Sequence, residues 1–207
     1  MAVAFPIAET RETLLEYSMS ERTLYLASAS PRRKELLTQL GYAFDIILPE
    51  VVEEHQAHES AQAYVSRLSR DKAIAGLQMV MSEGAVVLGA DTIVVVDQHI
   101  LEKPDNFTHA RQMLLQLSGR NHQVMTAVTV TDAQQTHTIV VTTEVWFKSL
   151  SDEEIEHYWQ SGEPGDKAGS YGIQGLGGKF VTRIEGSYFA VVGLPLFETD
   201  QLLHKFL

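Results

Sequence analysis

Val86-Val87-Leu88-Gly89-Ala90-Asp91-Thr92-Ile93-Val94-Val95-Val96 is apolar and β-branched almost throughout, and it reads as a buried strand. Strand alternation places Asp91 on the same face as Val87, Ile93 and Val95. A carboxylate in such surroundings is costly unless a charge, a metal or hydrogen bonds compensate it. The plainer alternative is a bulge beside Gly89 that turns the side chain to solvent. Perturbed carboxylates concentrate at active sites, which favours a functional Asp91.

Outward from this strand, the chain alternates strands and helices without an internal repeat or low-complexity segment. On the N-terminal side, Thr23 to Ser28 is a short β-like run, and Ser30-Pro31 opens a helix with Ser as N-cap and Pro at its first position. Phe44 to Leu48 is a second strand. Ser60 caps a long helix with the stripe Tyr64, Val65, Leu68, Lys72, Ala75 and Met79, in which Lys72 interrupts an apolar face. On the C-terminal side, a turn near Asp97 to His99 folds the strand back, and Pro104 and Asp105 lead into a helix that ends before Gly119. His122 to Thr131 and Thr138 to Phe147 are two long strands. Ser151 and Glu154 form a capping box for a helix that stops at Gly162. The glycine-rich stretch Gly169 to Gly178 precedes two strand-like runs, and a final helix follows Pro195. This order predicts a mixed α/β fold with helices layered on a sheet.

The 207 residues suffice for one large domain, or for one domain with two lobes around a cleft. No apolar run approaches the roughly 20 residues of a membrane span, the N-terminus lacks the features of a secretory signal, and cysteine is absent. A cytoplasmic protein without disulfides or thiolate chemistry is expected. Sixteen basic residues against 27 acidic ones, a net charge of −11, argue against binding nucleic acid through a basic surface. A nucleotide remains possible, because screening over about 8 Å leaves its binding to local cations. Arg32, Arg33 and Lys34 are one such group.

That group lies in Ser28-Ala29-Ser30-Pro31-Arg32-Arg33, a strand-to-helix turn whose backbone N–H groups suit phosphate oxygens. Arginine in the first turn opposes the helix dipole unless an anion sits there, although a capped helix with solvated arginines reads equally well. Taken singly, Lys72 reads as a snorkelling side chain and Lys103 in Glu102-Lys103-Pro104 as an ordinary loop residue. A triphosphate, however, needs several cations at its outer oxygens. Asp166-Lys167-Ala168-Gly169-Ser170-Tyr171-Gly172-Ile173-Gln174-Gly175-Leu176-Gly177-Gly178 fits neither a P-loop nor a dinucleotide fingerprint. It is either a loop of tight turns or a place where backbone approaches a flat ligand while Gln174 reads its edge.

Taken together, these segments resemble the Maf family of nucleotide pyrophosphatases, once described as septum-formation inhibitors. The likeness runs from about Leu24 onward, through Leu26-Ala27-Ser28-Ala29-Ser30-Pro31-Arg32-Arg33, Glu53, Lys72-Ala73, Leu88-Gly89-Ala90-Asp91-Thr92, Glu102-Lys103-Pro104, Leu117-Ser118-Gly119, His122, Thr126, Asp166-Lys167-Ala168-Gly169, Tyr171-Gly172-Ile173-Gln174-Gly175 and Gly186-Ser187-Tyr188. The chain departs from the pattern in its first 18 residues and at Val52, where an acidic residue often precedes the glutamate.

The resemblance implies an elongated, inosine-triphosphatase-like α/β fold with two lobes around a central cleft, a divalent Mg²⁺ or Mn²⁺ ion, and a homodimer. It further implies that Asp91 is the general base, that Arg32, Thr92 and Gln174 shape base specificity, and that Ser28, Arg33, Glu53, Lys72, Lys103 and Lys167 surround the phosphates and the metal. From the residues alone, Asp91 serves equally as base or, with Glu53, as a metal ligand. The Gly-Ile-Gln-Gly and Gly-Ser-Tyr forms resemble the branch that hydrolyses dTTP and UTP to the monophosphate and pyrophosphate. The domain is expected over residues 23–207 behind an N-terminal extension, 1–22, with Met19 a candidate start and the residues before it dispensable. A nucleotide-binding regulator of cell division without turnover is the alternative, against which an acidic residue among phosphate-binding cations speaks.

Overall fold

The computed structural model describes residues 22–80 and 82–207. The expected N-terminal extension and the Met19 start lie outside the described residues, apart from Arg22, which donates to Asp132 at 2.7 Å.

The long apolar strand is the centre of the sheet. In chain order the elements are β1 (Thr23–Ala27), α1 (Pro31–Gln39), β2 (Phe44–Ile47), α2 (Ala61–Val80), β3 (Ala85–Val96), β4 (His99–Leu101) and α3 (Phe107–Leu117). They continue with β5 (Asn121–Thr131), β6 (Thr136–Phe147), α4 (Asp152–Gln160), β7 (Val181–Glu185), α5 (Tyr188–Val192) and α6 (Leu196–Leu203), with 3₁₀ turns between Glu163 and Phe180. The seven strands form one mixed sheet in the order β2-β1-β3-β5-β6-β7, with β4 beside the far half of β3. The expected α/β class is therefore what forms. β2, β1 and β3 are mutually parallel, and the remaining pairs are antiparallel.

A break in the sheet edge positions the site. Along one side of β3, β1 pairs as far as Gly89, and β4 begins only at Val94. Between them, Ala90 to Ile93 carry no strand on that side among the described residues, so residues pointing to either face can be reached from one edge. On the other side β3 pairs with β5 from Val87 to Val95 without a slip. Asp91 is thus in regular strand rather than on a bulge.

Helices cover both faces. One face carries two clusters, the first joining α1 and α6 to Leu26, Leu88 and Ala90, the second joining α3 and α4 to Val94, Val124 and Val145. The opposite face carries α2, whose Tyr64, Val65 and Leu68 pack on Ile93, Val95 and Ala127. Ser60 starts α2 as expected, accepting from the Ala63 amide at 3.2 Å. The buried stripe of α2, however, is Tyr64, Val65, Leu68, Ser69, Ala73 and Gly76, while Met79 is 55% exposed. The reason is close approach to the strand. A Cβ on Gly89 would lie 2.4 Å from the Ser69 carbonyl oxygen and 2.6 Å from the Ala73 nitrogen, so small residues must face β3. Lys72 consequently sits at the flank of the interface.

Local signals elsewhere act as anticipated. Ser30 caps α1, the Ser151–Glu154 capping box forms, and Asp97 and Gln98 turn β3 into β4 at positive φ. Asn106, directly after Pro104 and Asp105, is the N-cap of α3. The second of the two expected strand-like runs is instead α5. Ser187 accepts from the Ala190 amide there, and this cap outweighs the β propensity of a short apolar segment that ends at Gly193.

Candidate active site

A cleft of about 810 Å³ opens at the break beside β3. Its walls include Ser28, Arg32 and Arg33 from the start of α1, Glu53 from the loop before α2, Lys72, Asp91 and Thr92, Lys103, Lys167 and Gln174. Every residue assigned to the site by the family resemblance therefore lines one cavity, whereas Lys34 of the basic group does not. It lies beyond the carboxyl end of β1 at a point where neighbouring connections leave for opposite faces, the usual place for a ligand in an open α/β sheet.

Lys72 explains how the carboxylate in β3 is accommodated. Its ammonium lies 2.7 Å from Asp91 Oδ1 and 2.7 Å from Glu53 Oε1. Asp91 is nearly buried, at 8% exposure. The break in the helix stripe and the carboxylate in the strand are two halves of one arrangement. Partial burial opposes ionisation of Glu53, but Lys72, with Lys103 and Arg33 nearby, outweighs it and holds the carboxyl below its usual range.

Arg33 is clamped from three directions. Nε donates to the Gly193 carbonyl at 2.9 Å, Nη2 to Thr92 Oγ1 at 3.1 Å and Nη1 to Ser28 Oγ at 3.4 Å. Burial pulls its guanidinium below the ordinary value, with Asp91 opposing and Arg32 adding to that effect. A phosphate would relieve the cost of this half-buried cation. Thr126 donates to the Ala190 carbonyl at 2.7 Å, so in the 2.9 Å contact between hydroxyls Thr92 must donate to Thr126. The single Thr92 proton is spent there, and toward a ligand Thr92 is an acceptor.

The turn before α1 satisfies much of its own backbone. The Ser30 amide donates to Ser28 Oγ at 3.2 Å, the Arg33 amide to Ser30 Oγ at 3.4 Å, and Pro31 has no amide hydrogen. Arginine side chains, more than backbone amides, are what this turn offers an anion. Across the cleft, Lys167 donates to the Glu163 carbonyl at 2.8 Å and to Asp166 at 2.6 Å. Gln174 and Lys103 are exposed at the rim, whereas Val52 points away to solvent at 71% exposure.

Two groups in the cleft escape a sequence reading. Tyr64 was assigned to an apolar stripe, yet its hydroxyl donates to Glu102 at 2.8 Å and to the Glu53 carbonyl at 3.3 Å. Burial and Glu102 push the Tyr64 pKa up, so it remains a donor. Its position two helical turns before Lys72 was the available signal. Glu163 lies outside every motif and was missed altogether.

Among the described residues no three His, Asp or Glu side chains gather as a metal site would. Glu53 and Asp91 nevertheless converge on a single cation, Lys72. Two hard carboxylate donors in a cleft lined with cations fit Mg²⁺ or Mn²⁺, which take one or two protein carboxylates and complete their shells with water and phosphate oxygens.

Residues 23–206 match the family model described as Maf-like protein. The dTTP/UTP pyrophosphatase of Vibrio cholerae is 68% identical over 91% of this chain and 100% of its own length. The protein of the same name from Photobacterium profundum is 62% identical over 91% of this chain and 99% of its own. That from Salmonella typhimurium is 59% identical over 89% and 93%. Among solved structures, the Staphylococcus aureus Ham1 protein aligns with a TM-score of 0.44 at 12% identity, over 61% of this chain and 72% of that one. On the extent of the family match and the identity of these relatives, the chain belongs to the Maf family.

Proposed function

We propose that this protein hydrolyses dTTP and UTP to the nucleoside monophosphate and pyrophosphate. The observation that carries the reading is the Lys72-bridged pair of Asp91 and Glu53 facing Arg33 across one cleft. The names of relatives 59–68% identical to it support the choice of substrate.

In this reading Arg33, Lys72, Lys103 and Lys167, with Ser28, hold the triphosphate and neutralise charge that builds on the pyrophosphate leaving group. Asp91 accepts the proton of the attacking water, and the ammonium 2.7 Å away holds its carboxylate in one orientation. Glu53 would hold the divalent ion, with water and phosphate oxygens completing its shell. When bound, that ion supplies Lewis-acid polarisation of phosphate oxygens. Gln174, at the rim opposite the arginines, offers both a donor and an acceptor to the alternating edge of uracil or thymine, and Arg32 and Thr92 complete base selection. A homodimer in the cytoplasm belongs to the same reading and is supported by the family resemblance; among the described residues no helix is long and apolar enough to cross a membrane.

The test is product analysis. Purified protein with Mg²⁺ or Mn²⁺ should release pyrophosphate and monophosphate from dTTP and UTP, and a chelator should stop it. Stoichiometric orthophosphate refutes the reading. Binding of nucleotide without any product would favour the regulator instead.

A further inference from the structure

The glycine-rich loop that carries Gln174 is tied down from beneath by one carboxylate. Glu163 Oε1 accepts from the Gly177 amide at 3.0 Å and from the Tyr158 hydroxyl at 2.7 Å, and Oε2 accepts from the Leu176 amide at 2.8 Å. The same Tyr158 hydroxyl accepts from the Gly172 amide at 3.0 Å. Both ends of the segment Gly172 to Gly177 are therefore held by a single Glu163–Tyr158 unit, with Gln174 at the crest between them. Glu163 also reaches the phosphate side, because its carbonyl accepts from Lys167 at 2.8 Å.

The glycines record how closely this unit approaches. A Cβ on Gly175 would fall 2.2 Å from Glu163 Oε2, and one on Gly177 would fall 2.5 Å from the Tyr158 hydroxyl oxygen. A Cβ on Gly172 would meet the Lys167 side chain at 2.7 Å. These glycines make room for protein groups behind the loop. Glu163 is half-buried and Tyr158 is 1% exposed, so the bonds to Tyr158, Gly172 and Gly177 are partly sheltered from water, while the Leu176 bond lies at the surface. Burial opposes ionisation of Glu163, but Tyr158, the two amides and Lys167 outweigh it and keep the carboxylate charged.

We propose that Glu163, acting with Tyr158, is a positioning residue for base selection: its ionised carboxylate fixes the Gly172–Gly177 loop so that Gln174 is presented to the base in one geometry. This rests on the reading in which Gln174 contacts the base. A loop ordered before binding spares the ligand the cost of ordering it. Loosening it should act on binding and discrimination, leaving the chemistry at Asp91 alone.

Glu163→Gln keeps the shape but turns an NH₂ group toward amide donors. In the free protein, hydrogen exchange at the Leu176 and Gly177 amides should accelerate by about tenfold or more, each factor of ten reflecting an equivalent shift in the opening equilibrium. In turnover, KM for UTP should rise while kcat stays within about threefold, and the UTP:GTP ratio of kcat/KM should fall about tenfold. Tyr158→Phe, which removes only the bridging hydroxyl, should move both readouts in the same direction by less. It carries the test if Glu163→Gln does not fold. Unchanged exchange at these amides, or faster exchange with an unchanged UTP:GTP ratio, overturns the proposal. A wild-type enzyme that releases pyrophosphate from UTP and GTP equally well overturns the base-reading role of Gln174 instead, so the two failures are distinguishable.

Discussion

Gly89→Ala probes how strand packing sets the catalytic geometry without touching a residue that meets substrate. The new methyl would lie 2.4 Å from the Ser69 carbonyl oxygen, 2.6 Å from the Ala73 nitrogen and 3.1 Å from the Ala73 Cα, all backbone atoms of α2. No side-chain rotation relieves such a contact. Restoring the 3.4 Å at which ordinary contact begins requires the helix and strand to part by about 1 Å. Lys72 stands one residue before Ala73, and its 2.7 Å bridge to Asp91 spans the same interface. Parting by that amount takes the pair beyond hydrogen-bond range. Overpacking of this kind costs typically about 1–3 kcal/mol, and rigid backbone on both sides places it near 3. For a chain of this length Tm should fall by roughly 6–12 °C. An ångström of misplacement at the reacting groups costs about a hundredfold in rate. Thermal denaturation and pyrophosphate release from dTTP, measured well below the lowered Tm, check the two effects separately. A variant with wild-type Tm and kcat/KM would refute the argument that contact between α2 and β3 holds Lys72 on Asp91.

Asp91→Asn preserves shape and removes basicity, so kcat should fall by roughly 10² or more while nucleotide and metal still bind; loss of metal affinity in a titration would make Asp91 a ligand instead. Gln174→Glu replaces a donor with an acceptor against a base carbonyl, and kcat/KM for UTP should fall about ten- to a hundredfold relative to GTP; an unchanged ratio moves base choice to Arg32 and Thr92. His122 is buried against Tyr171, with its Nε2 2.8 Å from the hydroxyl and, among the described residues, no partner at Nδ1. Burial, with Arg120 adding to it, pushes its pKa down to about 4, against an ordinary 6.5. As pH falls the unfolded chain takes up this proton first, so stability should be lost progressively between about pH 6.5 and pH 4, by about 3 kcal/mol in full. Denaturant midpoints across that window in wild type and His122→Gln check it, and identical slopes would remove His122 as the cause.

Four residues of the candidate site were legible because each broke a local rule, whereas Glu53, Thr92 and Lys167 were carried only by the family resemblance. Asp91 stood in an apolar strand, Lys72 in an apolar helix stripe, and Arg32 and Arg33 in the first turn of a helix. Residues that obey their local rule carried no such mark. Tyr64 suits a buried stripe and Glu163 suits a loop, so neither hinted at the Glu102 and Gly177 atoms it would meet. The glycines of the Gln174 loop were read as space for turns or a flat ligand, and the approach of Glu163 and Tyr158 from behind had no signature in the chain.

Strand and helix identity, caps and turns followed from interactions among neighbours four residues apart or fewer, which is why Ser30, Ser60, the Ser151–Glu154 box and the Asp97–Gln98 turn were readable. Alternation likewise put Asp91 on the face that α2 covers. The break between β1 and β4 was not readable, since it depends on the pairing of three strands separated in the chain. Nor was the direction in which α2 turns its small residues, which follows from the depth of contact at Gly89. Those two long-range features bring Lys72 to Asp91 and open the edge of β3 to a ligand, because backbone pairing and steric approach between distant segments are settled only when the chain closes on itself.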